Sequence, residues 1–196
     1  MVSGCATAAA PAASFVFVSR ALTDSTDRAA TAAVAPITAG ARSYRWPGAR
    51  PLRLWVEPRS TVEGWTPRHL ALVDEAVRAW SRAPDVRVDY VPRDYEADIR
   101  IHWSHELPAT NPGLTLLYRS RNDRLRRADV YVNVVPPCWT TGTPDRVLFA
   151  IIAHELGHAL GLAHDRASNT LMNAAPLATQ VTDEDLARLA AVVHGS

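Results

Sequence analysis

One short run of the chain carries two histidines and a glutamate at a spacing that can hold a metal ion. His154 and His158 are four residues apart, and Glu155 follows the first of them. On an α-helix, side chains four positions apart lie about 40° from each other around the axis, so both imidazoles can reach one ion. Imidazole is a preferred zinc ligand, and a neighbouring carboxylate can accept a proton from water. The run therefore predicts a zinc site on a helix, with Glu155 as general base.

His164 supplies a third imidazole only if that helix ends before it. On a continued helix His164 would lie roughly 240° around the axis from His158, facing away from the first two histidines. Gly161 lies between them and accepts the left-handed backbone conformation that commonly ends a helix. The chain can then turn back, and His154, His158 and His164 form a three-histidine site. Three protein ligands leave one zinc position open for water, as in catalytic sites.

The sequence around these residues resembles the signature of the metzincin zinc peptidases, and of their matrixin branch in particular. Residues 154–164 match HExxHxxGxxH, and Met172 follows His164 at the matrixin spacing of the Met-turn methionine. The resemblance implies one catalytic zinc ion above an apolar floor formed by Met172. It also implies peptide-bond hydrolysis by a zinc-activated water, with Glu155 as general base and then general acid. Because zinc binds neutral imidazole, activity should fall below the ordinary histidine pKa of about 6.5.

The same resemblance suggests where a peptide substrate would bind. In metzincins an extended peptide pairs antiparallel with the edge strand of the sheet, which we assign to residues 129–135. The strand residues expected to contact substrate are Val132, Asn133 and Val134. The segment after Met172 should wall the specificity pocket, through Asn173, Ala174, Ala175 and Pro176.

Two other functions would use the same residues. In the first, zinc only stabilises the fold and the cleft binds peptide without cleaving it. A carboxylate such as Glu155 beside an open coordination position disfavours this interpretation. In the second, the zinc site hydrolyses a non-peptide amide, such as a cell-wall cross-link. A predicted edge strand favours peptides over such amides.

Periodic patterns predict the elements that would position the site. Alternating apolar residues predict strands at 52–56, 86–91, 97–103 and 129–135. Helices should begin after the caps Thr66, Thr143 and Thr182; the first leaves His69 exposed, and the second carries the histidines. With the resemblance, this order implies an α+β, zincin-like fold. It has a twisted mixed five-stranded sheet, two long helices, the Met-turn and a C-terminal helix.

Composition and charge fit one domain of this kind. A chain of 196 residues with 47% hydrophobic residues can bury one core, and a net charge of +1 gives no reason to expect nucleic acid as a partner. The basic cluster at 119–127 is interpreted as a solvated loop between strands. The residues that could hold a second metal, His102, His105, Glu106 and Asp123, lack the glycine-rich run of animal matrixins. We therefore expect one zinc ion, a peptide or protein substrate and a monomer.

The N-terminal region differs from the rest of the chain. Residues 1–45 are interpreted as a low-complexity tether and residues 46–196 as the peptidase domain. Val2-Ser3-Gly4-Cys5 resembles the lipobox of bacterial lipoproteins, although only Met1 precedes it where a signal peptide is needed. With a start further upstream, the protein would be secreted or anchored to the cell envelope through lipidated Cys5. Otherwise the tether is a disordered cytosolic tail.

Overall fold

The computed structural model shows an α+β protein built on one mixed sheet. It describes residues 16–21, 35–37, 42–48, 50–107, 112–120, 122–135, 143–167, 169–175 and 178–195. The strands are β1 (Val16–Ala21), β2 (Ala35–Ile37), β3 (Leu52–Val56), β4 (Val88–Tyr90), β5 (Ile99–Ser104), β6 (Gly113–Arg119) and β7 (Leu125–Asn133). The α-helices are α1 (Arg68–Trp80), α2 (Pro144–Ala159) and α3 (Asp183–His194). A helix long and apolar enough to cross a membrane is not found among the described residues.

The strands lie in the order β2-β1-β6-β7-β5-β3-β4. β4, β3, β5 and β7 run parallel, and β6 pairs antiparallel with β7. These five strands form the expected five-stranded mixed sheet, with four of them at predicted positions, so the α+β fold class is confirmed. β1 and β2 extend the sheet beyond β6, with β1 parallel to β6 and antiparallel to β2.

Two parts of the strand prediction were wrong. β6 was not predicted, because Leu114 and Leu116 on one face and Leu117 on the other are all at least partly buried and hide the alternation. The sequence also predicts that residues 129–135 form the edge strand, but β7 lies between β5 and β6. Part of the basic cluster also lies within β6 and β7 rather than in a loop.

The N-terminal stretch holds strands where none was expected. β1 and β2 fall inside the segment interpreted as a tether, and β1 pairs along the outer edge of β6. A sheet edge presents a row of N–H and C=O groups that any extended segment can pair with, so no side-chain alternation is required. Cys5 and its lipobox lie outside the described residues.

Helix α1 packs on α2, and the two helices are fixed to each other by a buried indole. Trp80 is fully buried and donates a hydrogen bond from Nε1 to the carbonyl of Ala153, at 2.8 Å. His69, predicted to be exposed, is instead buried, because its ring lies within hydrogen-bond distance of Thr66 and of the Val134 carbonyl. Thr66 therefore forms hydrogen bonds with His69, and α1 begins without the predicted side-chain cap.

A buried carboxylate just before β5, paired with two half-exposed arginines, should dominate the acid sensitivity of the sheet. Asp98 accepts hydrogen bonds from Arg50 at 2.7 and 2.8 Å and from the Arg53 backbone at 2.9 Å. Burial opposes ionisation, but these hydrogen bonds outweigh it and lower the pKa of Asp98 to about 2. Asp98→Asn is expected to lower the free energy of unfolding at pH 7 by about 2–4 kcal/mol, measured by urea denaturation.

The depressed pKa also fixes the pH range of that effect. The contribution of Asp98 is complete above the unfolded carboxyl pKa of about 3.9 and is lost as the pH falls through the folded value. Parent and Asp98→Asn should therefore converge in stability at low pH. Glu75→Gln is the control, because the Glu75–Arg68 pair is solvent-exposed and should change stability by less than about 0.5 kcal/mol. Equal losses for both variants would contradict the assignment.

Candidate metal centre

Helix α2 carries the first two histidines on its buried side. Thr143 caps the helix by accepting from the backbone N–H of Arg146, and Pro144 occupies the first turn, as predicted. His154 and His158 are 0% and 1% exposed, with ring centroids 4.7 Å apart. The spacing of four residues therefore brings both imidazoles to one place inside the protein.

The turn at Gly161 brings His164 to the same place. The helix ends at Ala159, and Gly161 adopts φ = +113°, in the left-handed region. The nitrogen atoms of His154, His158 and His164 that could bind a metal all lie within 4.8 Å of one another. The structure thus assembles the three histidines that the sequence singled out into one cluster.

Gly161 also lies against the backbone of a distant segment, where no side chain fits. Its carbonyl accepts from the N–H of Tyr44 at 2.8 Å, and a Cβ at Gly161 would lie 2.0 Å from the Tyr44 carbonyl oxygen. Gly161→Ala is therefore expected to lower the free energy of unfolding by about 2–4 kcal/mol and to weaken zinc binding by displacing His164. Urea denaturation and zinc titration measure the two effects.

Gly48 provides a matched control for this substitution. Gly48 also has a positive φ, of 75°, but a Cβ there would meet nothing within 4 Å. Gly48→Ala should therefore show only the backbone cost, about 1 kcal/mol, with zinc affinity unchanged. Equal losses of stability for both variants would mean that the contact with Tyr44 is unimportant.

Hydrogen bonds to backbone carbonyls orient two of the rings. Nδ1 of His154 lies 2.7 Å from the Leu171 carbonyl, and Nδ1 of His158 lies 2.8 Å from the Leu162 carbonyl. A carbonyl only accepts, so each neutral ring carries its proton on Nδ1. Nε2 of each ring then carries the lone pair, which is the tautomer in which histidine binds a metal ion through Nε2.

Burial keeps all three rings neutral. It lowers the pKa of His154 to about 3, with a further effect from nearby His164, and lowers the pKa of His164 to about 4. Burial also lowers the pKa of His158 well below its ordinary value. Neutral imidazole is the form that binds zinc.

Glu155 is buried beside the first histidine. It is 1% exposed, and burial raises its pKa to about 8, while a hydrogen bond from Thr115 acts in the opposite direction. Its Oε1 atom has no hydrogen-bond partner within the part of the chain that the structure describes. Buried polar atoms without a partner are rare, so Oε1 is available to a bound molecule.

The segment around Met172 closes the buried side of the cluster. Met172 is fully buried, and a Cβ on Gly157 would lie 2.4 Å from its sulfur, so the thioether packs against α2 between the two histidine positions. The Asp185 carboxylate accepts from the backbone N–H groups of Leu171 and Met172. That Met172 forms the floor of a metal site stays a prediction, which this packing supports.

Helix α3 holds both the Met172 segment and the His164 loop. Thr182 and Asp185 form the predicted capping box at the start of α3. The same Asp185 carboxylate accepts from the backbone N–H of Leu171, so it joins the helix to the Met172 segment. Arg188 donates to the Ala163 carbonyl at 3.3 Å and forms an ion pair with Asp165 at 3.0 Å. The backbone N–H of Asp165 donates to the Met172 carbonyl at 2.7 Å. Together these contacts fix the two residues that flank His164.

The residues predicted to contact substrate are placed less uniformly. Val132, Asn133 and Val134 are all buried at or just after the end of interior strand β7, where they cannot form an open edge. Asn133 uses its side chain to hold Leu107 through hydrogen bonds in both directions. Asn173 and Ala174 are half-buried beside Met172, and Pro176 lies outside the described residues.

Sequence reasoning missed two residues that contact Glu155. Thr115 donates to Glu155 from β6, and Gly113 lies directly against the same side chain. Both belong to the strand that the alternation pattern did not identify. The available signal was Gly113 at the start of an otherwise apolar run, since glycine in a strand often marks a close approach.

Several known proteins are similar to this chain. Residues 120–190 match the family model of the matrixins, peptidase family M10. Stromelysin-3 of Rattus norvegicus is 34% identical over 106 residues, which cover 52% of this chain and 21% of that protein. Matrix metalloproteinase-20 of Homo sapiens is 35% identical over 106 residues, which cover 51% of this chain and 21% of that protein. The chain thus spans about a fifth of the length of these relatives.

One solved structure also aligns with this chain. The crystal structure of myroilysin aligns with a TM-score of 0.48 and 14% identity, over 76% of this chain and 86% of that one. The matched family segment contains His154, His158, His164 and Met172. The resemblance to the matrixins that the motif predicted is therefore confirmed for the part of the chain that carries the three histidines.

Proposed function

We propose that this protein is a zinc-dependent endopeptidase with one catalytic zinc ion. The observation that carries the proposal is the buried cluster of three neutral imidazoles, with the Glu155 carboxylate next to its first member. His154, His158 and His164 would hold the ion, and Glu155 would transfer the proton. The matrixin-like segment supports this assignment, since it covers all four residues.

The spacing of two nitrogen atoms in the cluster fits zinc. Two nitrogens bound to tetrahedral zinc at about 2.0–2.1 Å lie about 3.3 Å apart. The Nε2 atoms of His158 and His164 are 3.2 Å apart. Three neutral nitrogen ligands leave one position of a four-coordinate ion open, which separates catalytic from structural sites. Zinc bound there would polarise the scissile carbonyl and make a water molecule acidic enough to attack at neutral pH.

Glu155 can then handle the proton in both directions. We assign proton uptake from the attacking water to Oε1, the oxygen of Glu155 that lacks a partner among the described residues. The same oxygen would return the proton to the leaving amine.

The sheet suggests where an extended peptide would lie. β6 runs antiparallel to β7, and it contacts Glu155 of α2 through Gly113 and Thr115. The outer edge of β6 is paired with β1, so a peptide would pair with β6 in place of β1. Asn173 and Ala174 are proposed to line the adjacent pocket.

We also propose that the protein is extracytoplasmic and anchored to the cell envelope through lipidated Cys5.

Hydrolysis of a mixed peptide library tests the proposed function. The full chain and residues 42–196 are each loaded with zinc and assayed with and without a chelator, because β1 covers the β6 edge in the full chain. Zinc-dependent cleavage by either form supports an endopeptidase. If zinc binds and neither form cleaves peptides, the proposal is wrong, and cell-wall amides become the next substrates to assay.

A further inference from the structure

Strand β6 contacts Glu155 at two positions on one face. Gly113 and Thr115 are two residues apart, so both point to the same side of the sheet, towards α2. A Cβ on Gly113 would lie 2.5 Å from Cγ and 2.6 Å from Oε1 of Glu155. Oγ1 of Thr115 lies 2.6 Å from Oε2 of Glu155 and 3.1 Å from its backbone carbonyl oxygen. The Glu155 side chain therefore packs directly against Gly113 and Thr115 of β6.

The shorter Thr115 contact has the properties of a strong hydrogen bond. A hydroxyl has one hydrogen to donate, and the carboxylate at 2.6 Å is nearer than the carbonyl. This distance is at the short end of the range for O–H···O hydrogen bonds. Thr115 is 0% exposed and Glu155 is 1% exposed, so bulk water does not compete for either group.

Helix α2 alone does not fix the carboxylate. The backbone of α2 places Cα of Glu155, but three further torsions separate Cα from the carboxylate oxygens, and proton transfer requires an oxygen within about 3 Å of its partner. We propose that Thr115 is a positioning residue, which holds Oε2 of Glu155 and leaves Oε1 for proton exchange. This inference rests on the proposed function, in which Glu155 transfers the proton.

Replacement of Thr115 by valine removes the hydroxyl and preserves the shape of the side chain. In the zinc-loaded full chain, Thr115→Val is expected to lower kcat by about 10–100-fold and to change KM less than twofold. Thr115→Ser keeps the hydroxyl and should remain within about threefold of the parent. An unchanged kcat in Thr115→Val, or equal losses in both variants, would overturn the proposal.

Leu117 provides a packing control on the same strand and face. It is fully buried two residues after Thr115, and it has no part in the proposed chemistry. Leu117→Val should lower stability without a comparable loss of kcat. A kcat loss in Leu117→Val equal to that in Thr115→Val would mean that β6 acts through packing alone, which contradicts the proposal.

A double-mutant cycle tests whether Thr115 acts through Glu155. In a Glu155→Gln background, Thr115→Val should cause little further loss of the residual activity, because the carboxylate that Thr115 positions is gone. If Thr115→Val lowers activity by the same factor in both backgrounds, its effect does not pass through Glu155 and the inference fails.

Crystal structures give a readout independent of catalysis. In the parent and in Thr115→Ser, the Glu155 carboxylate should adopt one conformation against residue 115. In Thr115→Val it should turn away from β6 or adopt several conformations, whereas the three histidines should keep their positions. An unmoved carboxylate in Thr115→Val overturns the inference, even if the parent proves to cleave no peptide and the proposed function fails.

Discussion

Replacing Glu155 by glutamine is expected to lower kcat/KM for peptide hydrolysis by about 10²–10⁴-fold, the contribution of a positioned general base. Glutamine has the same length and can still accept a hydrogen bond from Thr115, but its amide cannot take a proton from water. Zinc affinity should be unchanged, because the proposed ligands are His154, His158 and His164. Hydrolysis of a peptide selected from the library, together with a zinc titration of both proteins, measures the two quantities.

The stability of the variant separates lost chemistry from lost structure. Burial raises the pKa of Glu155 to about 8, so the folded protein without metal holds this carboxyl less readily in its charged form than the unfolded chain does. Glutamine removes that cost, and the metal-free variant should be at least as stable as the parent at pH 8. Undiminished cleavage by Glu155→Gln would rule out Glu155 as the base, and the alternative of an amide hydrolase using another base would then need testing.

The cluster of three histidines could be predicted from sequence because the placement of its members is local. His154 and His158 are related by helix geometry alone, and His164 needs only a turn at Gly161, whose positive φ no ordinary side chain adopts readily. The caps at Thr143 and Thr182 are local for the same reason. Each of these features depends on fewer than about a dozen consecutive residues, so no tertiary contact had to be known.

The sheet edge could not be predicted in the same way. Strand position within a sheet is a tertiary property, and a strand with apolar residues on both faces gives no alternation to read. For this reason the sequence does not reveal β6, and without β6 the strand that becomes β7 is predicted at the edge of the sheet. Because β6 is not predicted, the contact between Thr115 and Glu155 could not be predicted either.

His69 and Asp185 illustrate a further limit. The sequence near each residue describes only its own helix, which predicts an exposed His69 and a capping box for Asp185. In the fold, His69 reaches the Val134 carbonyl and Asp185 reaches the backbone of Leu171 and Met172. A polar side chain is buried when a distant backbone group completes its hydrogen bonds, and such a partner is not visible in the neighbouring sequence.

The metal-free protein is expected to lose stability steeply as the pH falls below about 6.5. In the folded state burial holds the pKa of His154 at about 3 and that of His164 at about 4, and it also lowers the pKa of His158. Below 6.5 the unfolded chain therefore takes up protons that the folded protein does not. Each histidine lowers the free energy of unfolding by up to about 1.4 kcal/mol per pH unit, until its folded pKa is reached.

Glu155 contributes with the opposite sign over part of this range. Its folded pKa of about 8 lies above the unfolded value of about 4.3, so between these values the folded protein binds the additional proton. This offsets one of the three histidines below pH 6.5 and makes stability fall again from pH 6.5 to 8. Metal-free protein should therefore be most stable near pH 6.5, as far as these four groups decide it.

Zinc should change how the free energy of unfolding depends on pH, and urea denaturation between pH 4.5 and 8 with and without zinc measures the change. The folded histidines stay neutral to about pH 4, so zinc should remain bound well below the ordinary histidine pKa of about 6.5. This limit is lower than the one expected from sequence. His154→Gln is the control, since it removes one titrating ring and one ligand. It should reduce both the acid slope and the stabilisation by zinc. A metal-free profile that is flat from pH 4.5 to 6.5 would show that the histidines are not held neutral by burial.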